Sequence, residues 1–358
     1  MKTRRFLFFA AALLAAACAR TPSELMTLDI PALASADTLT AWTLDGAVRV
    51  AECYEMAPDR PLGYVWIAGF DGENLLIGVR DSIHFVGPDG RFLSSFCRRG
   101  NGPQEYLHDN LFLDPEGRVL VLDAMKNRAL TYLPDGTFVS AKDSVYAFDI
   151  HMFADGSRAV MNLPGRLVGE KPVFSLHASD GTMRYASPER EASEKMLMLS
   201  PGHFNAAPDG TCYFKYEYLD TLYHIRPDRV EAVLAFSVPA KPDDKMEDQD
   251  DGSVAFEMIA GRFVERSCKV LGDLLFYSFR DTDRNRTHHL VYDLSAGKLL
   301  YHALQAPLLR VGDAQVRTWP SFVSGNDAWC QLSREDAEAL LPGYNDDSNN
   351  AYLHIVSR

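Results

Sequence analysis

The stretch NLFLDPEGRVLVLDAMKNRALTYLPDGTFVSA, Asn110 to Ala141, holds four short runs rich in aliphatic, β-branched and aromatic residues. These are NLFLD, RVLVLD, ALTYL and TFVSA, separated in turn by PEG, the polar link AMKNR, and PDG. Gly and Asp tolerate the positive φ of tight hairpins, and β-rich runs of this length read as strands. The unit is therefore strand, turn, strand, link, strand, turn, strand: a four-stranded antiparallel meander.

The same punctuation recurs along the chain. Glycine-acidic turns stand at FDGEN (Asp71-Gly72), DPEGR (Glu116-Gly117), ADGSR (Asp155-Gly156), PDGTC (Asp209-Gly210), LGDLL (Gly272-Asp273) and SGNDA (Gly325-Asn326). Their mean spacing is about 51 residues, and a period of that size marks a repeat architecture. A second series alternates with the first: GPDGRF, LPDGTF, ASDGTM, RPDRVE and LSAGKL. Six four-stranded units around an axis predict an all-β fold, a six-bladed β-propeller.

The sixth unit shows only three strands, near Phe322, near Trp329, and AYLHIVS at the end of the chain. Its outer strand is expected from GAVRVAECY, Gly46 to Tyr54, so that strands from both ends close the ring and hide open edges. Two β-sandwiches would instead predict a linker near the middle. The acidic stretch KPDDKMEDQDDG, Lys241 to Gly252, is the candidate, but it falls between two turns of one series and reads as a surface loop. One short helix is expected within SREDAEALL, where Ser333 can cap and Asp336 sits at the third position.

The N-terminus sets the expected address. Lys2, Arg4 and Arg5 precede an apolar run from Phe6 to Ala17, shorter than the ~20 residues that span a bilayer and shaped like a secretory signal. The run ends at Cys18 after three alanines, which resembles a bacterial lipobox; Ala15 occupies the position where leucine is usual. The alternative is an ordinary signal peptide with an A-x-A site. The expected organisation is a signal peptide over 1–17, a tether over 18–25 beginning at lipidated Cys18, and a propeller over 26–358. Two or more acyl chains give stable anchoring, which predicts a membrane-bound protein of the cell envelope, in the periplasm or at the outer-membrane surface.

Charge and cysteine usage exclude other classes. The chain carries 36 Lys+Arg and 49 Asp+Glu, a formal net charge of −13, so nucleic acid is not an expected partner. Cys53, Cys97, Cys212, Cys268 and Cys330 form no C-x-x-C pair and at least one must be unpaired; most read as small buried hydrophobes.

A longer run, DSIHFVGPDGRFLSSFCRRGNGPQEY, adds a motif. With the lipobox-like Cys18 it resembles the six-bladed β-propeller lipoproteins abundant in Bacteroidetes. The hallmark of that family resembles G-x-G-P-G-E-Y; Gly100, Gly102, Pro103, Glu105 and Tyr106 match, and Gln104 replaces the third glycine. DTLYHI, HHLVYDLSAGK and the terminal DSNNAYLHIVSR extend the likeness over roughly residues 25 to 358. The resemblance implies a fold and an envelope location, and no reaction.

In this scheme Cys97 to Asn110 leads from the outer strand of blade 1 to the inner strand of blade 2, at the end of the ring where propellers commonly bind. Gly100 and Gly102 are expected to allow sharp bends and Pro103 to stiffen them. Arg98 and Arg99 either face an anionic or hydroxyl-rich ligand or pair with Glu105 while Tyr106 packs between blades. The same end should collect Arg80, Asp123, Asn162, Lys215 and Arg280, with Arg284, Arg286, Tyr216 and Tyr218 beside them. The expected ligand-binding set is Arg80, Arg98, Arg99, Glu105, Tyr106, Asp123, Lys215 and Arg280. A glycan, a peptide or an envelope protein at the channel mouth would suit it.

Catalytic signatures are sparse. EDQDDG would place Met258 where a calcium loop needs glutamate, and DTDRNR sets arginines among its oxygen donors. H-E-x-x-H, a Walker A loop and G-x-S-x-G are absent from the sequence. The reading is a non-catalytic binding protein without a cofactor. Its alternative is a metal-dependent hydrolase or lyase resembling the lactonase and amidating-lyase propellers, with one Ca or Zn ion in the channel held by residues such as Asp149, His151, His203, Asn205 and Glu265.

Overall fold

The computed structural model describes residues 25–57, 62–107, 110–162, 172–187, 203–216, 220–238, 263–344 and 350–358. Cys18, the acidic stretch 241–252, Tyr218 and the side chain of His203 lie outside the described residues.

Six blades form in chain order. Blade 1 comprises Val65–Phe70, Leu75–Val79, Ser82–Val86 and Phe92–Phe96; blade 2 comprises Asn110–Leu113, Val119–Asp123, Arg128–Tyr132 and Phe138–Asp143. Blade 3 runs Ala147–Met152, Arg158–Asn162, Phe174–His177 and Met183–Ala186, and blade 4 runs His203–Ala206, Cys212–Lys215, Thr221–Ile225 and Val230–Ser237. Blade 5 consists of Phe263–Leu271, Leu274–Asp281, Arg286–Asp293 and Lys298–Ala303. In blade 6, Phe322–Ser324, Asp327–Gln331 and Ala351–Ser357 are completed by the N-terminal strand Val48–Glu55, which pairs antiparallel from Val48↔Ser357 to Glu55↔Ala351. The expected closure of the ring is therefore what forms.

The turns explain why the repeat is written Asp-Gly. Asp89, Asp135, Asp155, Asp180 and Asp209 each accept the backbone N–H of the residue two places on, at 2.8 to 3.1 Å. The glycine between donor and acceptor has positive φ in every case. The carboxylate closes the Asx turn and the glycine supplies the left-handed residue.

Neighbouring blades then lock by a recurring contact in which a blade's second turn sits on the outer strand of the blade before it. A Cβ on Gly90 of blade 1 would collide with the Glu55 carbonyl of blade 6, and one on Gly136 of blade 2 would come within 2.6 Å of Phe96 of blade 1. Between blades 3 and 4 the same place is held by Arg184 Nη1 donating to the Pro227 carbonyl.

Apolar clusters fill the wedges between blades. Tyr106 lies in one with Leu76, Ile83 and Phe85 of blade 1 and Val119, Val121 and Leu130 of blade 2. At the axis, Ala206 of blade 4 bridges Ser324 of blade 6, and Gly325 N donates to the Ala206 carbonyl at 3.0 Å.

Before becoming the last strand, the N-terminal segment runs along the outer rim. Thr27–Asp29 adds a parallel strand to the outer edge of blade 4. Asp29 caps the helix Ile30–Ser35 by accepting from Ala32 N at 3.0 Å. Leu39 and His302 exchange backbone hydrogen bonds at 2.7 and 3.0 Å on the edge of blade 5. Ile30 and Leu44 are fully buried along this path. Two features were not anticipated: this belt, and the hairpin Leu308–Val311 with Ala314–Arg317 between blades 5 and 6. The expected helix is Arg334–Leu340, with Ser333 Oγ accepting from Asp336 N at 3.2 Å.

Candidate functional site

The segment CRRGNGPQEY is built as a clamp. Its own backbone closes through Gly100 N to the Tyr106 carbonyl at 2.9 Å and Tyr106 N to the Arg98 carbonyl at 3.0 Å. Glu105 folds back to accept Gly102 N at 2.7 Å. A Cβ on Gly100 would strike that carboxylate and displace Glu105 from its place in the loop, and neither Gly100 nor Gly102 has positive φ. The glycines thus make room for Glu105, where sharp bending had been expected.

Blade 2 holds the loop by its carbonyls. Lys126 Nζ donates to Gly100 and Glu105 at 2.6 and 2.8 Å, Arg128 Nη1 to Pro103 at 2.8 Å, and Tyr132 Oη to Gln104 at 2.8 Å. Asp123 accepts Leu107 N at 2.7 Å, together with Met125 N and Lys126 N. On the blade 1 side, Tyr106 Oη donates to the Asp81 carbonyl at 3.4 Å. These partners sit on the second and third strands of blade 2, in the link between those strands, and in the corresponding link of blade 1. The loop therefore lies in the cleft between blades 1 and 2.

The predicted binding residues separate into two groups. Tyr106 and Asp123 are essentially inaccessible, at 0% and 1% exposure, and Glu105 is turned into its own loop, so these three shape the clamp and offer little surface to a ligand. Lys215 is also buried, ion-paired with Glu265 across blades 4 and 5, with its ammonium 4.7 Å from the Phe236 ring centroid and 5.5 Å from that of Tyr277. Arg280 is tied to Asn285, and Arg284 donates to the Ala34 carbonyl of the belt at 3.1 Å. Asn162 Nδ2 donates to the Pro172 carbonyl at 2.7 Å, and Tyr216 is buried. Arg80, Arg98 and Arg99 remain exposed together at the blade 1–blade 2 cleft, and Arg286 is exposed in blade 5. Arg99 forms an ion pair with Asp81, both side chains about half exposed, and Arg80 precedes Asp81 in the same link. Arg98 Nε reaches the Gly136 carbonyl at 3.4 Å.

The channel-side candidates join blades. Asp149 Oδ2 accepts Phe204 N at 3.1 Å, Asn205 Nδ2 donates to the Cys268 carbonyl at 3.4 Å, and His151 Nε2 lies 3.3 Å from the Gly210 carbonyl. Among the described residues, inner strands of neighbouring blades do not pair with one another edge to edge, and side chains carry these crossings. Burial holds His151 below the usual imidazole range. Among the described residues, no group of three or more His, Cys, Asp and Glu side chains is placed to hold a metal ion.

Sequence reasoning passed over Lys269 on the inner strand of blade 5. Burial pushes its amine down, opposed by the charges of Cys268, Asp149 and Glu265. The five described cysteines are all unpaired; Cys212 and Cys330 are buried as expected, whereas Cys97 is exposed in the clamp. Burial raises the thiols of Cys212, Cys268 and Cys330.

Comparison with known proteins agrees with this geometry. A family model described as DUF5128, 6-bladed beta-propeller, matches residues 84–328. A Bacteroides fragilis structure described as a "Putative exported protein" superimposes with a TM-score of 0.66 at 12% identity, covering 93% of this chain and 99% of that one. A member of the duf4221 family from Bacteroides vulgatus gives a TM-score of 0.51 at 7% identity, covering 87% and 97%. At such identities the likeness is one of fold. No curated protein sequence matches the chain.

Proposed function

From the premise that the chain belongs to this family of six-bladed β-propellers, we propose that it is a binding module of the cell envelope, held to a membrane by acyl chains on Cys18. Its ligand is an acidic glycan or acidic peptide, recognised at the blade 1–blade 2 cleft by Arg80, Arg98 and Arg99. One observation carries the reading. The clamp is fixed by side chains that bond its carbonyls, which leaves its arginines as the groups it turns outward. A guanidinium held on a rigid loop loses little freedom on binding, and its planar fork matches a carboxylate in two bonds.

The exposed ion pair of Arg99 with Asp81 is worth little in water and is readily exchanged for a ligand carboxylate. Binding without catalysis is supported by Asp149, Asn205 and Glu265, whose polar atoms are engaged with neighbouring blades.

The test is retention of the purified chain on immobilised uronic-acid oligosaccharides and polyglutamate peptides, against neutral counterparts. Replacing Arg80, Arg98 and Arg99 together with alanine should weaken retention at least ~10-fold, about 1.4 kcal/mol, without shifting the melting temperature. Equal retention of the triple variant would remove the cleft from consideration. The anchor is tested separately, by metabolic labelling with a clickable palmitate analogue: label on the parent and none on Cys18→Ala is the expected outcome.

A further inference from the structure

The point where the ring closes differs from every other blade. Elsewhere in the ring a hairpin turn joins third and fourth strands; in blade 6 two strand ends lie side by side instead, with Arg358 N donating to the Ala47 carbonyl at 3.0 Å. Beside this seam is a depression of about 520 Å³, lined by Asp45, Val48, Arg49, Val50, Leu309, Arg310 and neighbours including Arg358. That volume suits a small organic ligand, for which pockets run from about 300 to 1,000 Å³.

The three arginines come from distant parts of the sequence and are all exposed. Among the described residues none of their guanidinium groups has a hydrogen-bond or ion-pair partner. Asp45, the one carboxylate side chain of the lining, is already engaged: Oδ1 accepts Arg310 N at 2.7 Å and Oδ2 accepts the Thr43 hydroxyl at 3.1 Å. Three arginines with no guanidinium partner among the described residues thus line one recess of a chain with a net charge of −13. The rest of the lining is apolar, and of it Val50 and Val311 are partly exposed while Val48 and Leu309 are buried.

A single fork satisfies a carboxylate, whereas several forks suit a dianion with three terminal oxygens. We propose that the seam pocket binds a phosphate monoester, with its phosphate among Arg49, Arg310 and Arg358 and its carrier against Val50 and Val311. The site is separate from the blade 1–blade 2 cleft and stands without it. The carrier is either a lipid or a sugar, and the test distinguishes them.

The full chain is titrated calorimetrically with inorganic phosphate, glucose 6-phosphate and dihexanoyl phosphatidic acid. At least one ester should bind ~10-fold more tightly than inorganic phosphate, and the tighter ester identifies the carrier. Affinity should fall at least ~10-fold in Arg49→Ala/Arg310→Ala and in Arg358→Ala, and should weaken with added salt, while Arg91→Ala binds as the parent does. Using two separate variants guards against one that folds poorly. The proposal is overturned if neither ester outbinds inorganic phosphate, or if folded variants bind like the parent.

Discussion

Blades 1 to 3 and blades 4 to 6 share one plan and finish differently at the rim. The outer strands of blades 1, 2 and 3 are Phe92–Phe96, Phe138–Asp143 and Met183–Ala186, six residues at most, and no described strand covers them. The edges of blades 2 and 3 carry charge, as at Lys142, Asp143 and Arg184, whereas Phe92–Phe96 of blade 1 is short and uncharged. Blade 4 ends in the eight-residue strand Val230–Ser237, which Thr27–Asp29 covers, and blade 5 is crossed by Leu39. The same segment then becomes the outer strand of blade 6. Short charged edges protect themselves from pairing with other chains, whereas a long edge needs a cover. The first half of the ring relies on short edges, charged in blades 2 and 3, and the second on a belt.

Cutting the belt should separate the halves most sharply. Removal of residues 25–45 strips Ile30 and Leu44 from their clusters and uncovers the edges of blades 4 and 5. Loss of a cooperative thermal transition, or aggregation, is expected by calorimetry and light scattering. Leu44→Ala alone should cost about 2–5 kcal/mol in chemical denaturation. A belt-less chain that melts like the parent would make the belt ornamental.

A second test stays within the belted half. Lys215→Met leaves Glu265 buried without its ammonium, which should cost about 3–5 kcal/mol. Adding Glu265→Leu should recover most of that loss, since a well-packed apolar pair avoids the desolvation of two ions. If the double variant is no better than the single one, the pair contributes more than mutual neutralisation.

The third contrast is acid sensitivity. In blades 4 and 5, burial lowers His224, His288 and His302, and burial brings His289 down to about 4. An unfolded histidine titrates near ~6.5, so between that value and the lower folded ones the unfolded chain binds more protons. Their stabilising effect is complete above about pH 6.5 and is lost as pH falls toward 4. The melting temperature should therefore drop by several degrees between neutral and mildly acidic buffer, with amide exchange rising first around His302 and Leu39. A flat profile would sink this reading.

The fold was legible because its turns are chemical signatures. Asp-Gly dipeptides must stand where a carboxylate closes a turn and glycine takes a positive φ, and the strand Val48–Glu55 announced itself by alternation. The belt was less visible, since Leu39 joins His302 through backbone atoms that no side chain advertises. The way the clamp is held was hidden for a related reason. Its partners are carbonyls of Gly100, Pro103, Gln104 and Glu105, reached from Lys126, Arg128 and Tyr132, and a carbonyl has no letter in a sequence. Arg49, Arg310 and Arg358 could not be read together, because only the closed ring makes them neighbours.

The pairing of Val48 with Ser357 also sets a schedule. The strand Val48–Glu55 has no partner until Ala351–Ser357 has been made, so blade 6 cannot form before then. Contacts this remote in sequence fold slowly and leave edges open meanwhile. A product cut short by even one strand would keep that edge permanently. Pairing with Ala351–Ser357 thus separates closed rings from open ones, and only the open ones offer blade 6 as an edge to other chains.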